Sequence, residues 1–277
     1  VFASIQTLAN RTDEFDSEAF DYVVVDEFHH AAAPSYRRVI DHFDPRFMLG
    51  LTATPDRMDA ADLLAICGDN LVFECDLVEG IERGDLVPFN YVGIRDAVDF
   101  APIPWRNGRF EPAALAAAVE TNERAQQAFD EWSARAGERT LAFCTTTAHA
   151  DFMAGFFRER DVRCASVHSG PSSDPRRESV EDLSAGTIGV LFAVDVFNEG
   201  FDLPAIDTVL MLRPTASPVV FLQQLGRGLR LDEGKNSLTA IDFIGNHQSF
   251  LSKPQALLSL GRRPLSTERL LDLLDEP

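Results

Sequence analysis

Two adjacent carboxylates end an apolar run in Val23-Val24-Val25-Asp26-Glu27-Phe28-His29-His30. Such a run reads as a buried strand, and open α/β sheets bind ligands at the carboxyl ends of their strands. An Asp placed there can help hold Mg²⁺ on nucleotide phosphates, and a neighbouring Glu can orient and deprotonate a water. Solvated acids at a strand end are common, so the pair alone decides nothing. In Leu51-Thr52-Ala53-Thr54-Pro55 the next apolar run closes on hydroxyls. These either pass hydrogen bonds from a nucleotide site to a neighbouring domain or cap a turn. Far downstream, Gln223-Gln224-Leu225-Gly226-Arg227-Gly228-Leu229-Arg230 sets two guanidiniums three residues apart among glycines. On one face of a helix end they can meet triphosphate oxygens, or they can simply complement the helix dipole. In Val194-Asp195-Val196-Phe197-Asn198-Glu199-Gly200-Phe201-Asp202-Leu203-Pro204, Gly200 permits close backbone approach and Asp202 can accept from a ribose hydroxyl.

The elements that must carry these residues alternate between short β-branched runs and helical patterns, the signature of parallel βαβ architecture. Tyr22 to Val25 and Phe47 to Leu51 read as buried strands, with a proline-initiated helix at Pro34 to Phe43 between them. A strand at Leu71 to Phe73 and a helix near Leu77 to Arg83 follow. The pattern breaks up from Pro88 to Phe110, and Glu111 to Ala136 reads as one long Ala-rich helix. A second block has strands at Thr140 to Cys144, Arg163 to Val167, Ile188 to Ala193, Thr208 to Leu212 and Leu238 to Phe243, with helices at Ala148 to Arg160, Pro175 to Ser184 and Pro218 to Arg227. The expected organisation is therefore residues 1–87, a first α/β unit with too few strands to close a sheet; 88–139, a connector strand and long helix; 140–245, a complete α/β domain; and 246–277, a tail or the start of an accessory domain.

Composition sets limits on the readings. With 45% apolar residues in 277, the chain has material for one large or two ordinary domains, and disorder is not the default. No apolar run approaches the roughly 18 residues of a membrane span, and no export signal opens the chain, so a cytoplasmic location is expected. Cys67, Cys75, Cys144 and Cys164 form no CxxC pair and read as free thiols in a reducing compartment. A net charge of −19 argues against indiscriminate polyanion binding. It leaves room for a locally basic cleft, with Arg37, Arg38, Arg57, Arg106, Arg109, Arg262 and Arg263 as candidates for patches.

The order of the motifs carries more than any one of them. Asp-Glu-x-His, Thr-Ala-Thr-Pro, the Glu-Gly-Phe-Asp-Leu-Pro loop and Gln-x-x-Gly-Arg-x-x-Arg together resemble motifs II, III, V and VI of superfamily 2 helicases of the DExH type. Ala3-Ser4-Ile5-Gln6-Thr7-Leu8 resembles the strand-contacting segment before motif II, Leu141 to Thr147 resembles motif IV, and Val167-His168-Ser169-Gly170 falls at another strand-contact segment. The resemblance spans about residues 1 to 245. It implies tandem RecA-like domains of the P-loop NTPase class, the first incomplete here and the second complete, closing on ATP. Asp26 would hold Mg²⁺, Glu27 would position the attacking water, and His29 would couple to Gln223. Arg227 and Arg230 would reach the triphosphate, Arg230 as the finger. Gly200 and Asp202 would touch the nucleotide's ribose side, and Thr52 and Thr54 would relay closure. Ser4, Gln6, Thr7, Thr146 and His168 would contact nucleic-acid phosphates.

One departure from the family's pattern is large. No GxxxxGK[ST] occurs in the 277 residues, and Gly234-Lys235 is followed by Asn236. The core's first strand, phosphate loop and adenine-recognising segment are expected before Val1 or on another polypeptide. The leading expectation is an ATP-driven motor on nucleic acid. Its wording is similar to the branch with type I and III restriction motor subunits and repair helicases, so DNA is favoured over RNA. A non-catalytic half-core acting as a regulatory module is the alternative. A metallohydrolase on Asp26, Glu27, His29, His30 and His42 is a third reading, disfavoured because two adjacent histidines do not present a shared face as an i, i+4 pair does.

Overall fold

The computed structural model describes residues 1–52, 60–106, 109–194, 203–214 and 217–245. Its contacts divide the chain into two units, Val1–Glu74 and Cys75–Pro277.

In the first unit, α1 (Ile5–Ala9), β1 (Tyr22–Val25), α2 (Pro34–His42), β2 (Phe47–Gly50) and α3 (Ala60–Ile66) follow one another. β1 and β2 form a two-stranded parallel sheet in which Val24 faces Leu49. The valine run was expected to be buried on both faces, as in covered parallel sheets. Instead Tyr22 is 74% exposed and Val24 60%, and only Val25 of β1 is buried. Leu71 to Phe73 is not a strand, and all three side chains are exposed. The core of this unit is small: Val25, Phe28, Ala31, Ile40 and Leu63 in one cluster, and Ala9, Val39 and Phe43 in another.

The second unit runs through α4 (Leu77–Glu82), β3 (Phe89–Arg95), the hairpin β4 (Trp105–Arg106) and β5 (Arg109–Phe110), α5 (Pro112–Val119) and α6 (Asn122–Arg135). It continues through β6 (Thr140–Phe143), α7 (Thr147–Arg158), β7 (Cys164–Val167), α8 (Arg176–Ser184), β8 (Val190–Ala193), β9 (Thr208–Met211), α9 (Pro218–Arg227) and β10 (Leu238–Ile244). Six strands make one sheet in the order β3-β10-β9-β6-β8-β7, with every pairing parallel. Residues of β6, β7, β8 and β9 are buried throughout, because helices cover both faces. One face packs Leu141, Leu191, Val209 and Ala240 against Phe221 and Leu225 of α9; the other packs Ala142, Phe192, Leu210 and Ile241 against Met153 and Phe157 of α7.

Two of the expected boundaries move. The division falls after Glu74 rather than at Val87, and Phe89–Arg95, assigned to a connector, is the edge strand beside β10. The long helix is two, because Thr121 leaves the helical conformation and its Oγ accepts from the Arg124 amide as an N-cap. A satellite cluster of Phe100, Ile103, Phe110, Leu115 and Val119 fills the segment between β3 and α6.

A buried ion pair locks that segment to the sheet. Arg124 of α6 donates to Asp96 at the end of β3 at 2.9–3.0 Å and to the Leu212 carbonyl at 2.8 Å. Both side chains are 1% exposed. Burial and the Arg124 charge hold His149 well below its ordinary pKa, so this neighbour is neutral. Tyr91 on β3 donates to the buried Asp242 carboxylate on β10 at 2.8 Å, pinning the two strands through side chains as well as backbone.

Candidate functional site

Motif II is built where β1 ends. The Leu51 amide donates to the Val25 carbonyl at 2.9 Å, and the Phe28 amide returns to the Leu51 carbonyl at 2.8 Å, so the two strand ends are tied together. Phe28 then lies on Gly50, where a Cβ would overlap its ring. The glycine therefore sets how closely the residues after Glu27 approach β2. Between these anchors Glu27 takes φ 51° and ψ 44°, the left-handed region that costs a non-glycine residue about 1–2 kcal/mol. The exposed Asp26 accepts the Glu27 amide at 2.9 Å. Glu27 Oε2 is 3.2 Å from His29 Nδ1, which is also 3.1 Å from Thr52 Oγ1. His29 is buried and stacks near His30, with ring centroids 4.1 Å apart. An Nδ1–H shared between the Glu27 carboxylate and the Thr52 hydroxyl meets both contacts. Thus Asp26, Glu27, His29 and Thr52 form one cluster within the first unit, whereas Thr54 lies outside the described residues. His42 belongs elsewhere, bonded to the Phe15 carbonyl at 2.9 Å.

In the second unit, α9 starts at Ser217, whose hydroxyl accepts the Val220 amide, and at Pro218 in the first turn. Gln223 and Arg227 stand one turn apart, both half-buried, while Phe221 and Leu225 anchor the opposite side in the core. The helix ends at Arg227. A Cβ at Gly228 would collide with Leu238 of β10 and press on Val209 of β9, so only glycine lets the chain turn flush against the sheet. Arg230 therefore lies beyond the helix rather than on its last turn, half-buried. Gly200 and Asp202 lie outside the described residues.

The expected phosphate contacts divide. Ser4, Gln6 and Thr7 are exposed on and before α1, with Ser4 capping it through the Thr7 amide and hydroxyl. Thr146 caps α7, accepting the His149 amide at 3.0 Å and donating to Glu120 at 3.0 Å. His168 departs from the expectation. Its side chain is fully buried, Nε2 meets Asp151 at 2.9 Å and Nδ1 accepts the Gly170 amide at 3.0 Å. Asp151 also accepts from Ser166 at 2.7 Å and Ser172 at 2.6 Å. Although partial burial opposes it, these hydrogen bonds and the His168 interaction lower the Asp151 pKa. The imidazole thus orders the turn that carries Ser169 and Gly170, with neither ring nitrogen directed at solvent.

Two residues were not singled out from the sequence. Gln224 is 1% exposed, and neither side-chain amide atom has a hydrogen-bond partner among the described residues, an arrangement that costs about 1–3 kcal/mol per buried group left so. Lys235 follows motif VI and donates from Nζ to the Pro204 and Arg230 carbonyls at 2.8 and 3.0 Å. No residue-type pattern in the sequence announces either.

A six-stranded parallel sheet under helices, with candidate residues on the segments leaving its strands, defines a RecA-like α/β domain. It is similar to a fragment of a candidate type I restriction HsdR subunit from Vibrio vulnificus YJ016, with TM-score 0.67 and 25% identity, over 86% of this chain and 46% of that one. The model of the helicase conserved C-terminal domain matches residues 121–232, and that of the type III restriction enzyme res subunit matches residues 1–57. IRC3 of Saccharomyces cerevisiae, a candidate ATP-dependent helicase, is 29% identical over 88% of this chain and 37% of its own length. A candidate mitochondrial ATP-dependent helicase, irc3 of Schizosaccharomyces pombe, is 31% identical over 87% of this chain and 41% of its own. The chain belongs to the superfamily 2 helicases of the DExH type. It spans about two fifths of the length of these yeast relatives.

Proposed function

We propose that this chain supplies the hydrolytic carboxylates and the phosphate-reaching arginines of an ATP-driven motor that moves on nucleic acid, DNA in preference to RNA. The observation that carries the reading is Glu27, held in a left-handed conformation with its carboxylate on buried His29 and, through that ring, on Thr52. A strand-end acid kept only for solvation needs neither feature.

Asp26 is exposed at the end of β1 and is a hard oxygen donor, which fits Mg²⁺ bound with ATP phosphates. Mg²⁺ so placed supplies charge neutralisation on the phosphates. Glu27 accepts the proton of the attacking water, and His29 fixes the carboxylate's orientation. Arg227 and Arg230 stabilise charge on the transferred phosphoryl group, Arg230 as the finger. Gly200 and Asp202 serve the ribose side, and Thr54 joins Thr52 in relaying nucleotide state. Ser4, Gln6, Thr7 and Thr146 contact nucleic-acid phosphates, and His168 shapes its turn. Among the described residues no helix is long and apolar enough to cross a membrane, and we place the motor in the cytoplasm.

The gene sequence 5′ of the Val1 codon, together with ATP turnover by the gene's full product, tests this. An in-frame GK[ST] loop and nucleic-acid-stimulated hydrolysis are expected. Strand binding without hydrolysis under the same conditions would instead favour the regulatory half-core.

A further inference from the structure

Arg230 stands outside α9, so the helical hydrogen-bond ladder does not fix its carbonyl. The residue before it is anchored twice. Leu229 is buried in the core, and its carbonyl accepts the Val87 amide at 2.9 Å. After Arg230 the chain runs over exposed residues into a turn, where the Lys235 amide donates to the Asp232 carbonyl at 3.2 Å. Gly234 enters that turn at φ 79°, which folds Lys235 back toward the helix end. The Lys235 ammonium then donates to the Arg230 carbonyl at 3.0 Å and to the Pro204 carbonyl at 2.8 Å. Pro204 ends the Glu-Gly-Phe-Asp-Leu-Pro segment.

We propose that Lys235 is a positioning residue that holds the Arg230 backbone against the Leu203-Pro204 segment and thereby sets the direction of the Arg230 guanidinium. A single ammonium with three donors can join two carbonyls from separate segments, and charge makes each bond about twice as strong as a neutral one. That Arg230 is directed at a triphosphate rests on the function proposed above; that Lys235 holds it does not.

Burial lowers the Lys235 pKa to about 8, against the opposing pull of Asp207 and Asp232. As pH rises through that value the amine keeps two donors but loses the charge that strengthens both bonds.

Lys235 and Lys253 are the two lysines of the chain, so Cε-labelled lysine gives two resonances to follow by NMR in the 277-residue protein. The Ala205 and Leu231 amides belong to the peptide units whose carbonyls Lys235 bonds, and the Arg230 Nε–H reports on the guanidinium. All three are expected to shift with the midpoint of the Lys235 resonance. In Lys235→Met, which removes both bonds, they should lie away from the low-pH wild-type positions and not titrate with a lysine midpoint, with amide exchange faster by about tenfold, as expected for losing one such bond at each peptide unit. Lys235→Arg keeps the charge and should restore the low-pH positions without titration. Wild-type protein in which Lys235 titrates while all three reporters stay still would overturn the proposal. So would a Met variant with wild-type reporter shifts. None of these readings involves nucleotide, so a chain with no motor activity leaves the test intact.

Discussion

Glu27 and Gly228 show two ways in which a single residue sets the candidate site. At Glu27 the backbone is strained and the side chain is engaged, a combination that persists where the surrounding structure over-determines it. At Gly228 the constraint is space. Gly228→Ala should cost about 1–3 kcal/mol through overpacking against Leu238 and Val209, measured by denaturant unfolding of the second unit's signal. A loss below the error of that measurement would mean the contact relaxes freely. Arg230→Lys in the gene's full product should reduce the catalytic rate by more than about tenfold and ATP affinity by much less, because an ammonium keeps the charge but loses the planar fork. Near-parental turnover would remove Arg230 from the active site. At this scale residue type and order made legible that Asp26, Glu27 and His29 follow the end of one strand, whereas Arg230 lies past the helix expected to carry it. What His168 does was not, because its acceptor Asp151 lies on α7 and is brought near only by the β6-α7-β7 crossover.

Among the elements, α6 and β3 bear the most on how the second unit is assembled. Asp96→Asn should destabilise this unit by about 3–5 kcal/mol, since it leaves Arg124 charged and buried without its carboxylate. Replacing both with apolar residues of similar volume should recover most of that loss. If the single variant unfolds at the wild-type denaturant concentration, the pair is not what locks α6 to the sheet. The interior strands were readable as apolar runs because burial on both faces removes the need for polar residues. β3 was expected only as a connector strand and not in this sheet: Phe89-Asn90-Tyr91-Val92-Gly93-Ile94-Arg95 is mixed in polarity, and the sheet neighbour it has among the described residues, β10, comes from far along the sequence. The break between α5 and α6 was written in Thr121, a capping residue that the alanine-rich surroundings obscured.

As a whole the chain holds two units of unequal burial. Strands of the second unit are largely buried, whereas β1 and β2 expose Tyr22, Val24 and Phe47. Hydrogen exchange should therefore find β6, β8 and β9 protected well beyond β1 and β2; equal protection would contradict the burial difference. The division after Glu74 was not legible, because the helix at Leu77 is patterned like those before it while its apolar contacts are made with the second unit's core. The 277-residue chain alone, without a GxxxxGK[ST] sequence, should not hydrolyse ATP, and nucleic-acid-stimulated turnover by that purified chain would refute this. We propose Glu27 as the base of an ATP-driven motor. The most direct test is steady-state ATP turnover by the gene's full product at saturating nucleic acid, compared with its Glu27→Gln variant, with ATP and strand affinity measured alongside. We predict that the variant binds both ligands nearly as the parent does and turns over ATP slower by a factor of at least about 10², the lower range of general-base contributions. Turnover close to the parental rate would make Glu27 only a strained acid at a strand end.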